Sequence, residues 1–196
     1  MAVQLWMCEL DRMLTDEEQA ALLQRLPADR RERLLSIPCQ DRWREPLCAY
    51  ALLRLAVQCR YGWPELPDMA LTERGKPFFS KHRDCHFSIS HTDGGVLVGL
   101  SETPVGVDLE RLRPVSPRVR RRLELSGQME QTYFQNWTLH EAAVKREGSD
   151  AAMLRDTAYT EGAEPIVVPP GFAGAAAGKG PIMETSIVSM EELLAF

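Results

Sequence analysis

Between Cys85 and Arg111, hydrophobic and polar positions alternate in short runs. In the first, Cys85, Phe87 and Ile89 alternate with His86, Ser88 and Ser90; in the last, Val105, Val107 and Leu109 alternate with Gly106, Asp108 and Glu110. Turn residues separate three such runs, Asp93-Gly94-Gly95 and then Glu102-Thr103-Pro104, so the pattern predicts adjacent antiparallel strands. Strand side chains alternate between faces, which puts Asp108 and Glu110 on one face, opposite the valines and the leucine. Neighbouring carboxylates repel each other there. A solvated strand edge would tolerate them, and so would a hard cation between them, since Mg²⁺ takes oxygen ligands and usually binds with phosphates.

The periodicity changes downstream. Phe134 to Lys145 is alanine-rich, lacks glycine and proline, and predicts a helix on which Trp137, Glu141 and Lys145 fall at i, i+4, i+8 along one side. Glu141 could supply a third oxygen ligand and Lys145 a cation for phosphate; a Glu–Lys pair at this spacing is also an ordinary surface stabiliser. Upstream, Val3–Cys8 reads as a strand, and Thr15 with Glu18 has capping-box spacing. Pro27 precedes a basic helix over 29–35, and Pro46 opens a helical run from Leu47 to about Tyr61. Gly75-Lys76-Pro77 is a turn that holds Lys76 on a constrained loop. The alanine- and glycine-rich string between 160 and 180 is expected to be a mobile loop. It does not meet the spacing of a phosphate-binding P-loop. Ile187-Val188 reads as a late strand and Glu191–Phe196 as a short closing element.

Composition bounds the class. The chain has 196 residues, 44% hydrophobic and 26% charged, which fits a soluble globular protein with a real core. No apolar run is long enough to span a bilayer and no signal-like start is evident, so no membrane association is expected. Five scattered cysteines without a C-x-x-C pair argue against a disulfide framework or a zinc site and favour the cytoplasm. A net charge of −5 argues against nucleic acid as a partner. Arginines nevertheless crowd residues 25–60 and 111–122, and such local basic surfaces can recruit acidic partners.

The sequence G-V-D-L-E at 106–110, followed by W-T-x-x-E-A-x-x-K at 137–145, resembles the two-part signature of the 4′-phosphopantetheinyl transferases of the long, Sfp-like type. Gly75-Lys76-Pro77 and Ser90-His91 sit at the expected spacings ahead of it, and the match covers roughly residues 20 to 148. The resemblance implies an enzyme, a holo-[acyl-carrier-protein] synthase, that moves the phosphopantetheine arm of coenzyme A onto a serine of an acyl or peptidyl carrier protein and releases 3′,5′-ADP. It implies Mg²⁺, or Mn²⁺ in its place, on Asp108, Glu110 and Glu141. Arg44, Lys76, Ser90, His91 and Lys145 would bind coenzyme A, and Glu141 and Lys145 would serve catalysis. Other readings stay open for single residues: a salt bridge for Arg44, a plain loop lysine for Lys76, a structural hydrogen bond for His91. The basic stretch 29–33 would contact coenzyme A phosphates or be an exposed helix face. Arg118 to Arg122 would dock an acidic carrier or be a solvated helix.

The expected fold is α+β, with two similar lobes related by a pseudo-twofold, residues 1–103 and 104–196, and the cofactor site in the cleft between them; a monomer is expected. Two departures from the family pattern stand out. His140 replaces a lysine beside Glu141, and no acid occupies the F-S-x-x-E position near Gln128 unless Glu130 substitutes for it. A degenerate, non-catalytic coenzyme A or carrier-protein binder is the alternative function.

Overall fold

The computed structural model describes residues 2–126, 129–148 and 159–196, apart from the side chains of 41, 122–126 and 130. The Gln128 position of the expected acidic element, and the Glu130 side chain that could replace it, lie outside the described residues.

The chain opens with β1 (Val3–Glu9), whose Val3, Leu5 and Met7 face one side of a sheet while Trp6 and Cys8 face the other, all of them buried. Helix α1 (Asp16–Gln24) starts at Thr15 with the expected capping box: Thr15 Oγ1 accepts from the Glu18 amide, and the Glu18 carboxylate accepts from the Thr15 amide. Helix α2 (Ala28–Leu35) follows. Helix α3 (Arg44–Tyr61) begins three residues before Leu47, with Pro46 inside its first turn, where the missing N–H costs nothing. Gly62, at φ +71°, ends it.

A short hairpin of β2 (Met69–Leu71) and β3 (Pro77–Phe79) turns at Gly75. The strands β4 (His86–Thr92) and β5 (Gly95–Ser101) then form the predicted hairpin through Asp93-Gly94. The third run, β6 (Gly106–Arg111), is a strand as expected, but it does not pair with β5. Both edges of β5 are already taken, by β4 and by β1. Pro104 redirects the chain, and β6 pairs antiparallel with β8 (Phe172–Ala177) in a second sheet of order β6-β8-β7, in which β7 is Ala163–Pro165.

The expectation of a mobile loop over 160–180 is therefore corrected. This stretch supplies β7 and β8, and every residue of β8 is buried. Its lack of hydrophobic alternation has a physical cause: both faces of β8 are covered at close range. Phe172 and Ala176 pack with Val107 and Leu109 against the first sheet, whereas Ala175 and Ala177 pack against Ala142 of α5 (Glu130–Glu147). Gly174 has no room for a Cβ, which would lie 2.9 Å from Val168 and 3.0 Å from Ile166. Small residues here serve close packing.

After β8 the chain returns to the first sheet. Strand β9 (Ile182–Val188) pairs parallel with β1, completing the order β4-β5-β1-β9, and α6 (Met190–Ala195) packs on the side of α3. Residues 182–195 thus lie with the first hundred. The result is an α+β fold in four layers: α3, the four-stranded sheet, the three-stranded sheet, and α5. Helix α4 (Pro117–Ser126) connects β6 to α5. Among the described residues, no helix is long and apolar enough to cross a membrane.

Candidate functional site

The site grows from the seam between the two sheets. Ser88, Ser90 and Thr92 fall at i, i+2, i+4 on β4, so their hydroxyls point to one face. Each accepts from a backbone N–H of β6: Val107 to Ser88 at 3.1 Å, Leu109 to Ser90 at 3.2 Å and Arg111 to Thr92 at 3.1 Å. A rung of three side-chain hydroxyls thus replaces the backbone ladder that a neighbouring strand would have provided. It leaves few unsatisfied N–H groups on β6 and fixes its register against β4. Sequence reasoning missed Ser88 and Thr92, although the Ser-x-Ser-x-Thr spacing was there to be read.

On the opposite side, β6 meets α5 with almost no gap. A Cβ on Gly106 would fall inside van der Waals contact of the Ala142 carbonyl oxygen and the Arg146 amide, and 3.0 Å from the Lys145 carbonyl carbon. The glycine of G-V-D-L-E and the first alanine of E-A-A-V-K are therefore the two halves of one close contact. It brings Asp108, from β6, beside Lys145 and Glu141 from α5. This role of Gly106 was not anticipated from the sequence.

Asp108 is 5% exposed. Its Oδ1 accepts from Lys145 Nζ at 2.6 Å and from Ser90 Oγ at 2.9 Å, while Lys145 Nζ also donates to Ser90 Oγ at 3.0 Å. The Ser90 hydroxyl thereby makes one donated and two accepted hydrogen bonds, which is its full complement. The other carboxylate oxygen, Asp108 Oδ2, is buried with no hydrogen-bond partner. An unpartnered buried carboxylate oxygen is costly. Glu141 is half-buried, and its carboxyl is pushed above the usual glutamate value, chiefly by burial and then by the charge of Asp108; Lys145 and His140 oppose the shift, and Glu110 adds to it. Glu110 shares the Asp108 face of β6, as predicted, but its Oε2 is taken by Arg113 at 2.9 Å. With Glu110 turned to Arg113 and Asp108 Oδ1 held by Lys145, no group of three or more His, Cys, Asp or Glu side chains among the described residues is set to hold a metal ion.

The remaining predicted contacts form a rim. Arg44, at the first position of α3, is held by Glu45 through Nε at 2.9 Å and Nη2 at 2.6 Å, with Asp93 at 3.5 Å. The salt bridge anticipated as its alternative role is thus present. His91 is exposed, yet the protein packed around it and the Lys145 charge push it below the usual histidine value, against the pull of Glu45. A cavity of about 200 Å³ opens between the turn at 74–77 and β4, lined by Arg74, Gly75, Lys76, Ser88, Ile89 and Lys145 among others. The Lys76 ammonium does not reach into it freely; it donates to the carbonyls of Val105, Lys145 and Arg146.

No protein-family model matches the chain. Individual proteins do. The chain is 25% identical over 160 residues to the 4′-phosphopantetheinyl transferase Sfp of Bacillus subtilis, covering 76% of this chain and 71% of that one. It is 29% identical over 140 residues to the 4′-phosphopantetheinyl transferase AcpT of Escherichia coli, covering 64% and 67%. A shorter match, 33% identical over 87 residues, is to the 4′-phosphopantetheinyl transferase gsp of Aneurinibacillus migulanus, covering 39% and 36%. These similarities support the 4′-phosphopantetheinyl transferase superfamily.

The two-part sequence pattern at 106–110 and 137–145 is, in three dimensions, one strand and one helix in contact. The departure from the transferase pattern at His140 has a structural counterpart. The residue is 1% exposed, and its Nδ1–H donates to the Tyr159 carbonyl at 3.0 Å. A lysine at this position would have to leave that buried place or carry its charge into it.

Proposed function

We propose that the protein transfers the 4′-phosphopantetheine arm of coenzyme A to a serine of an acyl or peptidyl carrier protein, releasing 3′,5′-ADP. The observation that carries this reading is the contact of β6 with α5, which sets the buried Asp108 beside Glu141 and Lys145 at the edge of a cavity with basic walls. The two helix-on-sheet halves are read as lobes related by a pseudo-twofold, 1–103 and 104–196 with the last strand crossing back, and the site as the cleft along their seam. Cytoplasmic location and a monomeric state complete the proposal.

Three carboxylate side chains supply the oxygen donors that a hard divalent cation, Mg²⁺ or Mn²⁺, prefers, although their present arrangement is not set to hold one. Asp108 Oδ2 has no partner, and the Glu141 carboxyl is raised first by burial and then by the Asp108 charge, both of which a cation would offset. Asp108, Glu110 and Glu141 would hold it, with Glu110 exchanging Arg113 for the ion. When bound, the ion would neutralise charge on the diphosphate. The chain's own groups do the rest. Lys145, with its ammonium between Asp108 and Ser90, is placed to neutralise charge on the transferring phosphoryl group. Arg44 and His91 would anchor the remaining phosphates, and the cavity beside 74–77 would take the nucleotide. As the carrier serine oxygen bonds to the phosphorus nearer pantetheine, the bond to the departing 3′,5′-ADP breaks. Glu141 would take the serine proton. Ser90 holds Asp108 and Lys145 in register throughout.

The deciding experiment incubates the protein with an apo carrier, coenzyme A and Mg²⁺ and weighs the carrier. The phosphopantetheine mass increment is expected; an unmodified carrier, where a competent transferase modifies it, overturns the proposal.

Two further results are expected. In the free protein, His91 titrates below the ordinary histidine value of 6.5, and coenzyme A phosphates raise its midpoint. Binding then takes up a proton, so affinity tightens as pH falls from the bound midpoint to the free one. NMR titration with and without coenzyme A checks this, and an unmoved midpoint removes His91 from the site. Arg118 and Arg121 are exposed on α4. Replacing both with glutamate is expected to raise the KM for an acidic carrier by about tenfold at low salt, less at high salt, with the KM for coenzyme A unchanged.

A further inference from the structure

The Lys76 ammonium donates to three carbonyl oxygens, those of Val105 at 2.9 Å, Lys145 at 2.7 Å and Arg146 at 3.0 Å. Val105 immediately precedes β6, which carries Asp108. The other two belong to the last turn of α5, which carries Glu141 and Lys145. Carbonyls in that turn have no partner within the helix, and the helix end bears partial negative charge, so a cation is favoured there. An ammonium has three donors, and here all three are engaged. The loop that presents it is held as well. Lys76 N donates to Thr72 Oγ1 at 3.0 Å, and the amides of Thr72 and Gly75 donate to the carbonyls of Lys76 and Thr72, both at 2.9 Å.

We propose that Lys76 is a positioning residue: its ammonium, engaged on carbonyls and not on a phosphate of coenzyme A, fixes the start of β6 against the end of α5 and thereby the placement of Asp108 relative to Glu141 and Lys145. The inference rests on the transferase reading above. Stability alone does not account for such a lysine. Burial pushes its ammonium from 10.5 down to about 8, so the folded protein binds that proton less well than the unfolded chain does. The charge therefore opposes folding at pH values below about 8, an opposition that lifts as pH rises from there toward 10.5. The cavities on either side, about 200 Å³ each, would let water reach the freed carbonyls if the lysine were removed.

The test compares wild type with Lys76→Met and Lys76→Arg by steady-state kinetics, amide hydrogen exchange over 144–148 and thermal unfolding. For Lys76→Met, kcat is expected to fall about 10²-fold, as for a misplacement on the order of 1 Å, with the KM for coenzyme A changed less than about twofold. Exchange over 144–148 speeds up, while Tm shifts by no more than about 3 °C. Lys76→Arg, which keeps a cation and several donors, recovers most of the lost kcat and protection. A KM for coenzyme A raised about tenfold at unchanged kcat and exchange would mean direct contact with the nucleotide and overturn the proposal. If Lys76→Met does not fold, the same KM-only change in Lys76→Arg overturns it equally. If wild type modifies no carrier, the transferase reading falls, and the exchange comparison still decides whether Lys76 fixes α5.

Discussion

The Asp108→Asn protein is expected to fold as wild type does and to transfer phosphopantetheine at least about 10²-fold more slowly. The amide oxygen of asparagine can stand where Oδ1 stands and keep the bonds from Ser90 and Lys145. What changes is the other position, where a buried and unpartnered carboxylate oxygen becomes an N–H₂ group that cannot ligate a cation. Stability should move by no more than about 1–2 kcal/mol in either direction, because Lys145 keeps part of its side chain in solvent and a charge is removed from a buried place. Transfer measured on the carrier, Mn²⁺ affinity by calorimetry and a thermal melt check the three parts. Glu141→Gln should lose cation affinity in the same way. A variant at 108 with full turnover would remove that residue from the chemistry.

Gly106→Val is expected to lower transfer by a comparable factor, about 10²-fold, by a purely steric route. Gly106 makes no contact with substrate in the proposed mechanism. Its missing side chain lets the backbone of α5 pass directly over β6 at Ala142, Lys145 and Arg146. A valine there drives the helix outward, and Glu141 and Lys145 move with it, while Asp108 stays on the strand, tied to Ser90. Overpacking of this kind costs about 1–3 kcal/mol, so a lowered Tm accompanies the kinetic loss. The lost hydrogen bond between Lys145 and Asp108 should show in a crystal structure or in amide exchange along α5. Unchanged activity would mean that the close approach is incidental.

The residues proposed to carry the chemistry were readable because they follow short-range rules. Strand alternation put Asp108 and Glu110 on one face, helical spacing put Glu141 and Lys145 on one side, and the capping box at Thr15 and the Asp93-Gly94 turn are local hydrogen-bonding and backbone preferences. Two parts were misread for an equally physical reason. Periodicity reports which side of an element is buried, and β8, buried on both sides by close neighbours, has none to report. Spacing likewise says nothing about strand partners, so β6 was placed beside β5, whose second edge β1 had already occupied.

Lys76 shows the same limit at a single side chain. Gly75-Lys76-Pro77 marks a constrained turn, and a lysine on such a turn reads as a plain loop lysine, or by the family resemblance as a coenzyme A contact. Only the arrival of the end of α5, some seventy residues later in the chain, shows its three donors to be engaged.

By itself, the sequence determined the strand and the helix that carry the acids and the lysine and the faces on which these sit, because steric and hydrogen-bonding rules act over a few residues. Which strand adjoins which, how closely α5 approaches β6, and whether an ammonium is free or engaged were decided by the tertiary structure alone. These depend on contacts between segments far apart in the chain, whose formation is governed by packing volume and mutual burial.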